Sequence, residues 1–424
     1  MTSNVKSTVS PVSKLFRFCI LFLFLIGVQA WFTWNIKETI VYGLIFLISV
    51  LYQNEQKIRL NLSRNAKIGF FLMFCAWEFI NRTWAIFAGV MFLFKFYPLI
   101  VLYQDQNMKQ TLQFVFKGFA ILLIPSIFFY ILSPIFPPGP IIKNDATDAY
   151  QFYNYFFLIK GITASGRFGA FCLEPSYLGT ACAFILYLTR YNLKLWYNKV
   201  YLLSLILSFS LAGIGIAIMG YFIVTLRSIK AIRTVIFIGI LMMLSANFFQ
   251  YYNGGNNVIN EKIISRLQYD EDKGISGNNR VSYTTDMYFA SLLLSNDRWY
   301  GLGAETINFI NGGSTGFGDF GSQIRGAGFK IFILYNGLIG TILCIAFYAC
   351  FAADCVPNNK RFSWGFFTLI IITAVQAAYP FSYSWLIPFI CGIKLPEIKK
   401  GISVFSNFSN ENSIYSPHYR LARK

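Results

Sequence analysis

Hydrophobic residues in this chain come as unbroken runs divided by polar breaks, without the alternation of half-buried helices or strands. Twelve runs stand out, at 15–34, 39–53, 67–80, 83–104, 113–135, 168–189, 198–210, 211–226, 231–249, 327–350, 363–379 and 381–394. A helix needs roughly 20 apolar residues to cross a bilayer. The pattern therefore predicts an all-α polytopic integral membrane protein of about 12 transmembrane helices, or 10 to 12 depending on how the shortest runs fold. The first run is too long for a signal peptide's apolar region and exits as QAWFTWNIKET, without a small-residue cleavage site, so it reads as a retained span. In 202–226, Gly213 and Gly215 predict a break, either between two short spans or at the tip of a re-entrant hairpin. The last run, 381–394, is also short.

The polar breaks are mostly brief, with two exceptions. Residues 136–167 and 250–326 are predicted to be extracytoplasmic loops containing short helices, one of them at Val281–Leu294. Loops of that length are usually functional or disordered. Residues 395–424 form a polar C-terminal tail, and the whole chain reads as one transmembrane domain.

Composition agrees with the pattern, with 56% hydrophobic and only 13% charged residues. The net charge of +18 raises the question of nucleic acid. With the N-terminus in the cytoplasm and sides alternating, the cytoplasmic segments hold 23 of the 36 basic residues and five of the 18 acidic ones. The excess is then wholly positive-inside, both termini are cytoplasmic, and no nucleic-acid partner is implied.

The eight cysteines lie in or near apolar runs without a CxxC or a Cys/His spacing, so they read as structural thiols and no metal site is expected. The single histidine, His418, is in the tail. External chemistry must then run without imidazole, using Arg, Lys, Asp, Glu, Tyr and hydroxyl groups.

Candidate chemistry gathers where runs begin on the outer side. RFGAFCLEPSYLGT (167–180) sets Arg167 and Glu174 at the lip of the sixth run, with Pro175 suited to a first helical turn. A guanidinium and a helix N-terminus both suit phosphate oxygens. The same residues also fit an acidic N-cap and a headgroup anchor. RGAGFKIFILYNGLIG places Arg325 before another outward-facing start, and SGNNRVSYTTDMYFASLLLSNDRWYGLGAET (276–306) carries Asn279, Arg280 and Arg298. Nine glycines between Gly301 and Gly328 suit either a lid or a plain surface loop. Asp270 and Asp272 share the DxD spacing of cytoplasmic nucleotide-sugar transferases, but this loop faces outward. Glu78 and Lys95 fall inside apolar runs, where charges are functional candidates, snorkel, or pair with each other. The aromatic run YQFYNYFFLIK (150–160) fits an interfacial belt better than a sugar platform.

Together, RFGAFCLEPSYLG before a run, SGNNR followed by a helix, NDRWYGLG, and then YNGLIG within a run resemble the O-antigen and exopolysaccharide polymerases of the Wzy type, over about residues 160–345. The resemblance implies a metal- and cofactor-independent glycosyltransferase of GT-C-like membrane character. It would join undecaprenyl-diphosphate-linked repeat units at the outer face of the bacterial cytoplasmic (inner) membrane, for O-antigen, capsule or exopolysaccharide. Arg167 and Arg280 would meet the diphosphate and Glu174 would be the base. Arg325, Arg298, Tyr177 and Asn279 are expected on the diphosphate or glycan. Membrane lipid, a chain-length regulator and a flippase of the same pathway are the implied partners. The related O-antigen ligases carry a histidine where this chain reads GSQIRGAG, which favours polymerase over ligase. A lipid-linked oligosaccharide flippase is a further alternative, disfavoured by the long second loop.

Overall fold

The computed structural model describes residues 10–82, 86–137, 139–143, 151–161, 167–225, 248–252, 260, 269–270, 274–275, 282–311, 324, 328–355, 359–374 and 379–394, and it is mostly helical. The first five helices are α1 (Pro11–Gly27), α2 (Glu38–Glu55), α3 (Arg64–Asn81), α4 (Ile86–Gln104) and α5 (Met108–Leu132). Three strands follow, β1 (Ile141–Lys143), β2 (Gln151–Asn154) and β3 (Ile159–Gly161), then α6 (Pro175–Leu188), α7 (Trp196–Leu207) and α8 (Leu211–Thr225). A two-residue pairing of β4 (Tyr269–Asp270) with β5 (Gly274–Ile275) precedes α9 (Tyr283–Leu294) and α10 (Gly303–Ile310). The chain continues through α11 (Phe329–Ala353), α12 (Lys360–Ala374) and α13 (Tyr383–Gly392).

Local chemistry sets several starts. Ser10 accepts from the Ser13 N–H at 3.1 Å with Pro11 behind it, and Ser63 accepts from the Ala66 N–H at 3.1 Å. That cap starts α1 four residues before the apolar run, and α1 stops at Gly27 rather than continuing to 34. Gln29 takes a left-handed φ of 53°, and residues 29–31 turn away to pair with 171–173.

Helix ends sort into two layers. In the first, Asp354 after α11 accepts from Ser63 before α3 and from Tyr103 of α4, and the Lys394 ammonium lies 3.5 Å from the centroid of the Tyr103 ring. Arg17 of α1 bonds Gln110 of α5 at 2.8 Å, and Arg190 after α6 bonds Asn359 before α12 at 3.2 Å. These are ends that the charge pattern assigns to the cytoplasm. The second layer joins the end of α1 to the approach to α6 and to the start of α13, where Ser382 donates to the Gly27 carbonyl at 2.9 Å.

The core between the layers is aromatic, as in the Phe16–Tyr52 stack at 4.1 Å between centroids. α5 and α11, of 25 residues each, are long and apolar enough to cross a membrane, and only 33% and 39% of their apolar windows are buried. Ile40, Leu44, Leu47 and Leu51 of α2 form an exposed stripe at helical spacing, as do Ile121, Ile124, Phe128 and Ile131 of α5.

Two expectations are corrected. The chain breaks at Ser208–Ser210, not at Gly213 and Gly215. Phe209 is left-handed (φ 44°), and Ser210 accepts from the Gly213 N–H at 3.2 Å to start α8. Gly213 serves packing instead, since a Cβ there would stand 2.6 Å from the Gly179 carbonyl carbon of α6. Within 136–167, the described residues hold an antiparallel sheet, β1-β2-β3, in place of short helices. Its register pairs Phe152 with Ile142 and with Gly161. The Val281–Leu294 helix is found as α9, capped by Ser282.

Candidate functional site

Residues 168–173 form a strap that is neither helix nor strand but is fixed by its backbone on three sides. The Phe168 N–H donates to the Leu207 carbonyl at the end of α7, 3.1 Å away. The Ala170 carbonyl accepts from the Ile159 N–H of β3 at 2.8 Å. Opposite, the Phe171 carbonyl accepts from the Trp31 N–H at 2.9 Å, and the Leu173 N–H donates to the Gln29 carbonyl at 3.1 Å. Phe168, Ala170, Phe171 and Cys172 are buried, so nearly every polar group of the strap must find a protein partner. Ala170 holds a left-handed φ of 51°, a conformation that costs a residue with a Cβ about 1–2 kcal/mol. Cys172 is buried among these groups, which shields its thiol from reagents.

Arg167 and Glu174 are the two ends of this strap, both half-buried. The Arg167 Nε donates to the Ser208 carbonyl at 3.1 Å, which ties it to the α7–α8 break. Glu174 occupies the N-cap position of α6 in extended conformation, yet no side chain caps that helix. The Glu174 carboxylate instead accepts from the Ser176 hydroxyl at 2.8 Å. The capping role that the sequence offered for Glu174 is therefore not the one it takes. Tyr177, one turn on, lies beside the Gln29 side chain and within electrostatic reach of Glu174. The strap thus gathers Arg167, Glu174 and Tyr177 around the entry to α6.

The second loop contributes a joint that sequence reading did not foresee. α11 is kinked at Gly337 (φ 62°, ψ −171°), which frees backbone groups two turns below its start. Segment 299–302 fills the gap. The Leu302 N–H donates to the Leu334 carbonyl at 2.7 Å, and the Trp299 carbonyl accepts from the Ile339 N–H at 3.1 Å. Arg82, left-handed at the end of α3, completes the joint. Its guanidinium donates to the Tyr335 carbonyl (2.9 Å), the Tyr300 carbonyl (2.6 Å) and the Gly301 carbonyl (3.3 Å). NDRWYGLG and YNGLIG, separate strings in the sequence, are one unit in space. The available signals were Gly337 inside an apolar run and a lone arginine, Arg82, just after the distant third run at 67–80.

The other predicted residues divide. Arg298 stands 5.7 Å over the Trp299 ring and donates to the Leu293 carbonyl at 3.5 Å, at the edge of this joint. Asp286 in the first turn of α9 is ion-paired with Lys330 of α11 at 2.6 Å. Asp297 is exposed. Asn279, Arg280 and Arg325 lie outside the described residues, as does Asp272. Lys95 does not pair with Glu78 but with Glu38 of α2, at 3.0 Å. Glu78 is buried with one carboxylate oxygen unpartnered. Among the described residues, no three His, Cys, Asp or Glu side chains come together in a way that could hold a metal ion.

No protein-family model, curated protein or solved structure matches the chain.

Proposed function

We propose that this protein is a multi-pass membrane glycosyltransferase that polymerises lipid-diphosphate-linked oligosaccharide repeats on the extracytoplasmic face of the bacterial inner membrane. One observation carries the reading: a charged pair, Arg167 and Glu174, sits at the two ends of a buried, backbone-locked strap at the entry to an apolar helix. A buried strap with one strained residue, tied through its backbone to residues 29–31, 159 and 207, is a costly way to make a plain loop, and such strain gathers at functional sites. The exposed apolar stripes of α2 and α5 support a lipid surround for the bundle, with about 12 spans and both termini inside.

In this reading the growing glycan on its lipid diphosphate is the donor and a single lipid-linked repeat the acceptor. An acceptor hydroxyl attacks the anomeric carbon, the bond from that carbon to the diphosphate oxygen breaks, and a glycosidic bond forms. Glu174 takes the hydroxyl proton. Arg167, helped by the uncapped N-terminus of α6, stabilises charge on the departing diphosphate. Arg280 is assigned the same role from the second loop, and Arg298, Arg325, Asn279 and Tyr177 are assigned to the diphosphate or glycan.

The test is a gel of surface polysaccharide from a strain lacking the gene, complemented with wild type, Arg167→Ala or Glu174→Ala. Attached single repeats with the ladder lost in the null and both variants support polymerisation. Full-length chains stranded on lipid carrier would indicate a ligase, and single repeats trapped on the inner face a flippase.

A further inference from the structure

Lys95 is a cation midway along α4, inside the apolar core, and its surroundings are unequal on its two sides. Its ammonium lies 4.7 Å from the centroid of the Tyr42 ring and 5.0 Å from that of Trp77, and its side chain is only 15% exposed. Its counter-ion, Glu38 in the first turn of α2, is 64% exposed. The lysine is held in place by aromatic faces, whereas the carboxylate reaches in from solvent. An ion pair with one exposed partner contributes little and must order a flexible side chain. The glutamate is thus a displaceable occupant of a fixed cationic seat.

Two further features point to a ligand there. The Trp77 indole N–H is buried without an acceptor, a donor left over beside the ammonium. Tyr379, on the approach to α13, is half-exposed and lies within electrostatic reach of Glu38, so a hydroxyl stands near the counter-ion as well. The seat also adjoins the strap. Tyr383 packs against Tyr42, its neighbour Ser382 bonds the Gly27 carbonyl, and Gln29 two residues on accepts from the Leu173 N–H and lies beside Tyr177.

We propose that Lys95, with Tyr42 and Trp77, is a phosphate-binding seat for a lipid diphosphate, and that Glu38 is the internal anion the ligand displaces. A diphosphate brings more negative charge and stronger charge-assisted hydrogen bonds than one exposed carboxylate, so exchange is downhill. The inference rests on the proposed function only for the identity of the lipid. The seat itself follows from the geometry.

The test measures binding of farnesyl diphosphate to the purified full-length protein in detergent by titration calorimetry, with farnesol and inorganic pyrophosphate as comparison probes. Lys95→Gln should weaken binding by about tenfold or more, and Lys95→Arg should restore most of it. Glu38→Gln should tighten binding about two- to fivefold by removing the competitor. Opposite effects from the two partners of one ion pair are what a purely structural pair cannot give. Equal binding by wild type, Lys95→Gln and Glu38→Gln overturns the proposal, as does weakening by both. Pyrophosphate binding with the same pattern assigns the seat to the phosphate alone, and farnesol binding of equal strength overturns it. A missing Lys95 effect alongside the ladder loss described above sinks the seat and leaves the polymerase reading intact.

Discussion

Gly337→Ala should release segment 299–302 from α11. Glycine is needed there on two counts. A φ of 62° with ψ of −171° lies in a region reached essentially by glycine alone, at a cost of roughly 1–3 kcal/mol to other residues. A Cβ would also stand 2.5 Å from the Gly301 nitrogen and meet the Trp299 carbonyl, adding an overpacking cost of about 1–3 kcal/mol. Together these amount to about 4 kcal/mol, or a shift of roughly a thousandfold in the docked equilibrium at 1.4 kcal/mol per tenfold. Alanine instead favours continuing the helix, in which α11 bonds its own carbonyls and segment 299–302 has nowhere to sit. The assay is hydrogen–deuterium exchange on the purified protein. The Leu302 amide, bonded to the Leu334 carbonyl, should lose protection while α6 stays unchanged. Full protection at Leu302 in the variant would refute the reasoning, and so would an equal loss throughout α6.

Other outcomes follow from the same geometry. Arg82→Met removes three carbonyl contacts at an exposed site, so exchange across 299–302 should rise by about tenfold, less than with Gly337→Ala. Asp105, between α4 and α5, is held above its ordinary value of 3.8 by burial, only partly offset by the Asn107 N–H, the Tyr52 hydroxyl and Arg17. A raised carboxylate pKa means that its ionisation destabilises the fold as pH rises above 3.8. Asp105→Asn keeps one acceptor oxygen for the Asn107 N–H, and its NH2 can donate to the Tyr52 hydroxyl oxygen in place of the present acceptor bond. It should therefore melt at a higher temperature than wild type at pH 7, with the gap closing toward pH 4. Arg167→Lys keeps the charge but loses the planar fork, and Glu174→Gln keeps the shape but not the base. Each should slow polymer growth by about 10²–10³ at normal protein level, read as ladder length. Cys172 should resist maleimide in the folded protein and react once it is denatured.

Helices were legible from the runs because apolar length is a one-dimensional property. α3, α5 and α11 each fall within a few residues of the expected stretch. Their ends were less so, because caps such as Ser10 and turns such as Gln29 act through local geometry and override hydropathy. Gly213 was misread for a similar reason, since a glycine that breaks a helix and one that lets two helices touch look the same in sequence. At the site, Arg167 and Glu174 stood out as charges at a lip. The strap between them did not, because FGAFCL reads as ordinary apolar sequence and its fixity comes from residues 29–31, 159 and 207. The Arg82 joint depends on partners more than 200 residues away, and Lys95 found Glu38, 57 residues before it, instead of the nearer Glu78.

The most direct measurement is polymerisation by the purified protein in liposomes supplied with lipid-linked repeat units and no other enzyme. The account predicts a ladder of longer lipid-linked chains with wild type, and single repeats only with Arg167→Ala or Glu174→Ala. Repeats left unextended by folded wild-type protein, or a full ladder from both variants, would contradict it.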